Sequence, residues 1–266
     1  MKILITLFLC LLLGPASTTW AVNITGKLTQ GGYITGHIPN AKTITVNGQK
    51  ATIVQDRFFF GLHREFPPEA TVKITKTDKR AQEQAFIITP QSYKTQHIQG
   101  VSQKTVTPDP AQVKRSRQEA QKIRAARQGQ LNAAHLNFQW PVTGPITGVY
   151  GSRRTYNGQE RSWHKGLDIA PPHGTPIRPI EQGKVALALD TFFNGNLIII
   201  DHGLGLHSIY AHLDEMRVTA GEQISKNTII GTVGNTGRST GPHLHLGIYW
   251  HQTALDPILF LPGGKK

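Results

Sequence analysis

Beyond residue 21 the first part of the chain is built from short runs in which apolar and polar residues alternate, broken by Gly, Pro and Asn. TITVNG (43–48), ATIVQ (51–55), RFFFGL (57–62) and ATVKITK (70–76) follow one another with turn signals between them. Alternation with period two puts the apolar side chains on one face of an extended segment, and such segments at close, regular spacing predict a small β-sandwich over residues 22–99. The pattern breaks at Pro108 and Pro110. From Ala111 to about Ala134 the chain is rich in Ala, Gln, Lys and Arg, which predicts a basic linker, residues 100–137, carrying a helix. From Phe138 onward apolar runs separated by Gly return: PITGVYG, GKVALALD, NLIIIDHG, LHSIYAHL, TIIGTVGNTG and PHLHLGIYW. They predict an antiparallel β domain over 138–262, with 263–266 as a tail. The expected fold class is therefore mainly β, with an N-terminal sandwich-like domain, a helical linker and a C-terminal antiparallel domain.

The chain opens MKILITLFLCLLLGPASTTWA, with Lys2 ahead of an apolar run from Ile3 to Leu13 and small residues before Ala21. This pattern predicts a secretory signal peptide over 1–21, cleaved after Ala21 or else after Ala16, and the run is too short to span a bilayer comfortably. Leu9 ahead of Cys10 argues against lipid attachment at that cysteine. Cys10 is the single cysteine of the chain, so the mature protein has no thiol; a disulfide is excluded, and a metal site must use His and carboxylates. Loss of Lys2 lowers the formal charge from +13 to +12, and a pI near 10 calls for anionic partners. A chain exported across the inner membrane meets cell-wall polymers and anionic envelope polymers before nucleic acid. Periplasm or cell wall is the expected location, with no nucleic-acid partner and no transmembrane segment after signal cleavage. Seven basic residues from Lys104 to Arg127 face only Asp109 and Glu119, as on a solvated connecting helix, or on one that docks against the next domain or an anionic polymer.

The candidate chemistry lies late in the chain, where eight of the twelve histidines fall from His164 onward. His164 and Asp168 are four apart in WHKGLDIA, a spacing common by chance. His212 closes the apolar run IYAHLD. His243 and His245, two apart in PHLHLGIYW, share one face of a strand at about 7 Å separation. Four imidazoles and a carboxylate suit zinc better than magnesium or calcium. A catalytic zinc site takes three protein ligands and keeps one position open, which leaves two of the histidines to move protons or stabilise an oxyanion. Tyr210, two before His212 and on its face in a regular strand, is a candidate for substrate or oxyanion contact, or for simple packing. His37, His63, His97, His173, His202, His207 and His251 stand outside these groupings and are expected to be structural or solvated.

HKGLD, YAHL and GRSTGPHLHLG, in that order and within residues 138–262, resemble the lysostaphin-type (LytM-like) zinc metallopeptidases that cut peptide bridges and cross-links of bacterial peptidoglycan. The resemblance implies one zinc ion held by His164, Asp168 and His245, with His212 and His243 as the catalytic pair, and peptidoglycan as substrate. GVYGSRR (148–154) resembles the family's segment leading into the site, and TYNGQERS after it is expected to be a loop at the groove rim. GKVALALD and EQISKNTIIGTVG also have the look of barrel-sandwich modules such as lipoyl and biotinyl carriers, although no lysine stands at a hairpin tip as it does in those carriers. Two other classes stay open: a catalytically silent relative that activates a cell-wall amidase, and a wall protein that only binds carbohydrate or anions. Some members of the resembled family are latent because an upstream segment occupies the groove; QLNAAHLNF, with Asn132, His135 and Asn137, is the segment placed to do this here.

Overall fold

The computed structural model describes residues 22–129, 131–133 and 136–264; the expected signal peptide and His135 lie outside the described residues. The fold is mainly β and sandwich-like rather than a closed barrel. In the N-terminal part, Asn23–Lys27, Tyr33–His37, Arg57–Gly61 and Thr52–Val54 make one four-stranded sheet in that spatial order, and Gln49–Lys50, Ala41–Val46, Glu69–Lys76 and Ala81–Ile87 make another. The strand Glu69–Lys76 shows why the alternation is legible: Ala70, Val72 and Ile74 are buried while Glu69, Thr71 and Lys73 face solvent. In Arg57–Gly61 the three consecutive phenylalanines are all buried, because this strand is covered on both faces.

One face of this part is closed by the C-terminal part of the chain. Phe60 packs on Trp250 at 4.8 Å between ring centroids, and Tyr33 on Phe260 at 4.7 Å. The Trp250 indole N–H donates to the Thr52 hydroxyl, and the Arg64 guanidinium to the carbonyl of Gly151. Each large apolar side chain fully buried here stabilises the contact by about 1.5–3 kcal/mol. The two halves therefore share one continuous apolar core.

The C-terminal sheet runs Ile146–Gly148, Leu167–Ile169, Leu244–Trp250, Leu206–Met216, Gly195–Gly203, Gly183–Thr191 and Gln223–Ile224, antiparallel throughout. A second strand pair, Pro176–Ile177 with Gly231–Val233, joins its central strand Leu206–Met216. Leu167, Ile169, Leu244, Leu246 and Ile248 are almost wholly buried.

The linker helix spans Pro110–Ala126. Asp109 caps it: its carboxylate accepts from the Gln112 N–H, the Gln112 side chain accepts from the Asp109 N–H, and Pro110 sits where an N–H is not needed. The helix docks rather than standing free in solvent. Buried Glu119 accepts from the Phe192 N–H, Arg115 bridges Glu119 and Asp190, and the Arg127 guanidinium lies 4.1 Å over the Tyr249 ring. The chain ahead of the helix has a different role. Thr95–Ile98 pairs in parallel with Arg153–Tyr156, which in turn forms a hairpin with Gln159–Arg161. The expected loop TYNGQERS is thus mostly a hairpin, its turn made by Asn157 and Gly158, both with positive φ, as the tight hairpin turns of right-twisted strands require.

Candidate active site

His164, Asp168 and His245 converge because strand register brings them together. Asp168 in Leu167–Ile169 lies directly opposite His245 in Leu244–Trp250, so their side chains leave the sheet on the same side. His164 precedes the first of these strands in a segment tied by the bonds from Gly151 N–H to His164 O and from His164 N–H to Ser152 O. The glycine inside HKGLD is needed for close approach: a Cβ on Gly166 would come within 2.6 Å of the His245 ring and 2.4 Å of the Leu246 carbonyl. Three atoms result from this packing as a compact triangle. His164 Nε2 is 3.0 Å from His245 Nδ1 and 3.0 Å from Asp168 Oδ1, and His245 Nδ1 is 2.8 Å from the same oxygen.

The set fits a zinc ion. Tetrahedral bonds of about 2.0–2.1 Å set neighbouring ligand atoms roughly 3.3 Å apart, a few tenths of an ångström from the spacing found. The supports outside the triangle favour the same use. His164 Nδ1 lies 3.0 Å from the Val149 carbonyl, to which it donates, leaving Nε2 with its lone pair turned inward. Asp168 Oδ2 accepts from the Arg154 guanidinium at 2.6 Å, leaving Oδ1 for the triangle. Burial lowers the His164 pKa to about 4 against the pull of Asp168, so the ring is neutral at pH 7. Burial alone would raise Asp168, but the neighbouring His164 and His245 imidazoles outweigh it and hold the carboxyl well below its usual range. Two nitrogens and one carboxylate oxygen leave a fourth tetrahedral position open.

His212 and His243 stand beside this triangle with ring centroids 4.7 Å apart, and His243 Nε2 is 4.0 Å from Asp168 Oδ1. Both rings are oriented from behind through Nδ1. His212 Nδ1 is 2.8 Å from the Thr236 carbonyl and His243 Nδ1 2.9 Å from the Gly241 carbonyl, so each donates there and turns Nε2 into the cleft as an acceptor. The Ser239 hydroxyl, 3.1 Å from His243 Nδ1, adds a second contact. Burial, with His243 and His245 as neighbours, lowers His212 to a pKa of about 3.

A backbone irregularity brings His212 here. Between the pairs Ile198 with Tyr210 and Asn196 with Leu213, Ala211 and His212 stand opposite the single residue Leu197, which is a β-bulge, and His212 has φ +64°. Ala211, opposite His245, occupies the cleft face, and the bulge swings His212 to that side as well. Tyr210 stays behind, which corrects its expected place beside His212. It pairs with Leu246 on the core face, is wholly buried, and its hydroxyl accepts from the Ile180 N–H at 2.8 Å and the Ser208 hydroxyl at 2.9 Å. It packs the sheet and does not reach the cleft.

The other late histidines are structural or peripheral. His202 bridges the Gln182 carbonyl and the Ser208 hydroxyl, His251 meets the Thr52 hydroxyl, buried His207 lies against the Gly205 carbonyl, and His173 faces Asp214 at the surface. Of the suspected upstream segment, Leu131 N–H binds Asp201 and Asn137 N–H binds Glu181, and neither Asn132 nor Asn137 lines the cleft. The cleft, about 610 Å³, is instead lined from the N-terminal half by Gln96, Ile98 and Val101, together with the loop 238–243. Nothing in the polar sequence TQHI marks that strand. Arg154 does lie in the quoted GVYGSRR, but its partner Asp168 is not legible from spacing.

Comparison with known proteins agrees with this geometry. Residues 162–257 match the description Peptidase family M23. The chain is 42% identical over 82 residues to the peptidoglycan DD-endopeptidase ShyA of Vibrio cholerae, covering 31% of this chain and 19% of that protein. It is 35% identical over 134 residues to the cell division protein DipM of Caulobacter vibrioides, covering 47% and 21%. It thus spans a small part of the length of these curated relatives. A crystal structure of a candidate M23 peptidase from Pseudomonas aeruginosa superposes with a TM-score of 0.68 at 26% identity, covering 88% of this chain and 95% of that one. The convergent His and Asp side chains lie within the matched stretch, and the chain carries a domain of peptidase family M23.

Proposed function

We propose that the chain is an exported, zinc-dependent endopeptidase that hydrolyses peptide cross-links or bridges of bacterial peptidoglycan. The observation that carries the reading is the juxtaposition of the 2.8–3.0 Å triangle of His164, Asp168 and His245 with the His212–His243 pair. The name of the Vibrio relative supports the substrate class, and the apolar start of the chain supports export. His164 Nε2, His245 Nδ1 and Asp168 Oδ1 would hold the ion, which supplies Lewis acidity toward water and a peptide carbonyl.

The chain's own groups do the rest. Arg154 holds Asp168 in one orientation, so that the carboxylate presents a single oxygen. His243, held through Nδ1 with Nε2 turned inward, accepts a proton from the attacking water and returns it to the leaving amine. His212, deeper and equally oriented, turns its Nε2 lone pair to the same water and holds it in place for attack as a hydrogen-bond acceptor. The cleft walls from 96–101 and 238–243 position the peptide between them.

The mature protein, purified and assayed for zinc and for muropeptide release from defined peptidoglycan, tests the reading. One zinc per chain and release of new peptide ends are expected. A zinc-loaded protein that binds peptidoglycan, never cleaves it, and stimulates an amidase would overturn the endopeptidase reading in favour of an activator.

A further inference from the structure

Apart from the metal-binding triangle, the cleft has a strong charge imbalance. Arg154, Arg161, Lys165 and Arg238 line it, and Asp168 is the only carboxylate among the described residues that do so. Arg154 is already paired with that carboxylate. Arg161 spends its donors on neutral acceptors, the carbonyls of Val106 and Glu160 and the Gln159 side chain, which fix the guanidinium without cancelling its charge.

Arg238 is the distinctive one. Its guanidinium carbon lies 4.9 Å from the Tyr156 ring centroid and 4.5 Å from that of Phe193, and it makes no ion pair among the described residues. Two aromatic faces hold the plane in place and leave the N–H edges to bind something else. Burial lowers its pKa, and the like charges of Arg161 and Arg154 push the same way, so three guanidiniums share one field. A planar donor fork presented in this way matches a carboxylate better than a neutral amide.

Its position ties this charge to the reaction. Arg238 lies on the loop whose Thr236 carbonyl orients His212 and whose Ser239 hydroxyl contacts His243, and its own N–H is anchored 2.8 Å from the Phe193 carbonyl. An anion held there lies in the same cleft as the bond being cut.

We propose that Arg238, clamped between Tyr156 and Phe193 and backed by Arg161, forms a carboxylate-recognising subsite that selects peptides with a free carboxylate beside the scissile bond over neutral, glycine-type bridges. This rests on the endopeptidase reading above and adds the substrate class to it.

The test uses the zinc-loaded mature protein and two defined cross-linked peptides identical except for one group flanking the scissile bond, carboxylate in one and carboxamide in the other. The carboxylate form is expected to be preferred by about tenfold or more in kcat/KM, mainly through KM, the equivalent of one charge-assisted contact. R238Q should bring that ratio close to one, and R238K, which keeps the charge but loses the planar fork, should restore part of it. Zinc content and melting temperature of each variant report whether it is folded. Equal cleavage of the two peptides by the native protein, or an equal loss on both in a folded, zinc-loaded R238Q, would overturn the subsite while leaving the endopeptidase reading intact. If neither peptide is cut, the endopeptidase reading fails and the subsite is judged by calorimetry instead: tenfold tighter binding of the carboxylate form supports it, and equal affinities sink it.

Discussion

The two corners of the cleft are built by opposite means. The corner of His164, Asp168 and His245 rests on regular structure: two neighbouring strands in register, a glycine that lets them approach, and an arginine behind the carboxylate. The corner of His212 and His243 rests on irregular structure: a bulge with positive φ at His212 and a loop whose carbonyls hold both rings from behind. The difference has a physical reason. Ligands of one ion would have to meet within a few ångströms of one another, which strand register secures for Asp168 and His245 and the tied segment ahead of Leu167 secures for His164. The two imidazoles must instead face an object that sits beside the sheet, and a bulge is the economical way to turn a strand residue out of its alternation.

Replacing one residue from each corner should separate their roles most sharply. His245→Ala is expected to abolish tight zinc binding and activity together. His212→Ala should keep one zinc per chain while kcat falls on the order of 10²–10⁴-fold. Zinc content by mass spectrometry beside muropeptide release distinguishes the two, and loss of zinc from the His212 variant would erase the proposed division of labour.

A smaller effect is expected one step away from the regular corner. Arg154→Gln removes the bond that fixes Asp168, and should weaken zinc affinity by about 10–100-fold without changing the stoichiometry at saturating metal. Competition with a calibrated chelator reads this directly; an unchanged affinity would mean that the strand register alone orients the carboxylate.

The smallest effect concerns acid stability without metal. His164 and His212 both have folded-state pKa values below the unfolded value of about 6.5, at about 4 and about 3. The unfolded chain therefore takes up protons first as the pH falls. The stability these rings share is fully present above pH 6.5 and is lost between there and their folded values, at up to about 1.4 kcal/mol per pH unit for each ring. Melting of the metal-free protein between pH 7 and 4 should show this decline, and a His212→Asn variant should show a shallower one. Identical slopes would mean that the bulge corner opens to water and that the ring titrates freely.

Much of the layout is legible in residue order. TITVNG, ATIVQ, RFFFGL and ATVKITK lie in or overlap the strands Ala41–Val46, Thr52–Val54, Arg57–Gly61 and Glu69–Lys76, because a half-buried strand writes its alternation into the chain. Ala81–Ile87 and Thr95–Ile98 leave no such mark. They are polar and largely exposed, and are held as strands by their neighbours. Tyr210, expected either to pack or to share the face of His212, packs for a related reason: alternation carries two side chains to one face only where the strand is regular, and the bulge at Ala211 and His212 breaks that count.

By itself, then, the sequence determined the chemical inventory, namely four imidazoles and a carboxylate far along the chain from its single cysteine, Cys10, and it determined that His243 and His245 could act on one side of a strand, since that follows from covalent geometry. Tertiary structure alone decided that Oδ1 of Asp168 is the point on which these groups converge, that His212 is turned to the cleft while Tyr210 is not, and that an N-terminal strand lines the cleft together with the loop of Arg238. Those outcomes depend on registers and bulges between segments distant in the chain, and no local pattern of residues encodes them.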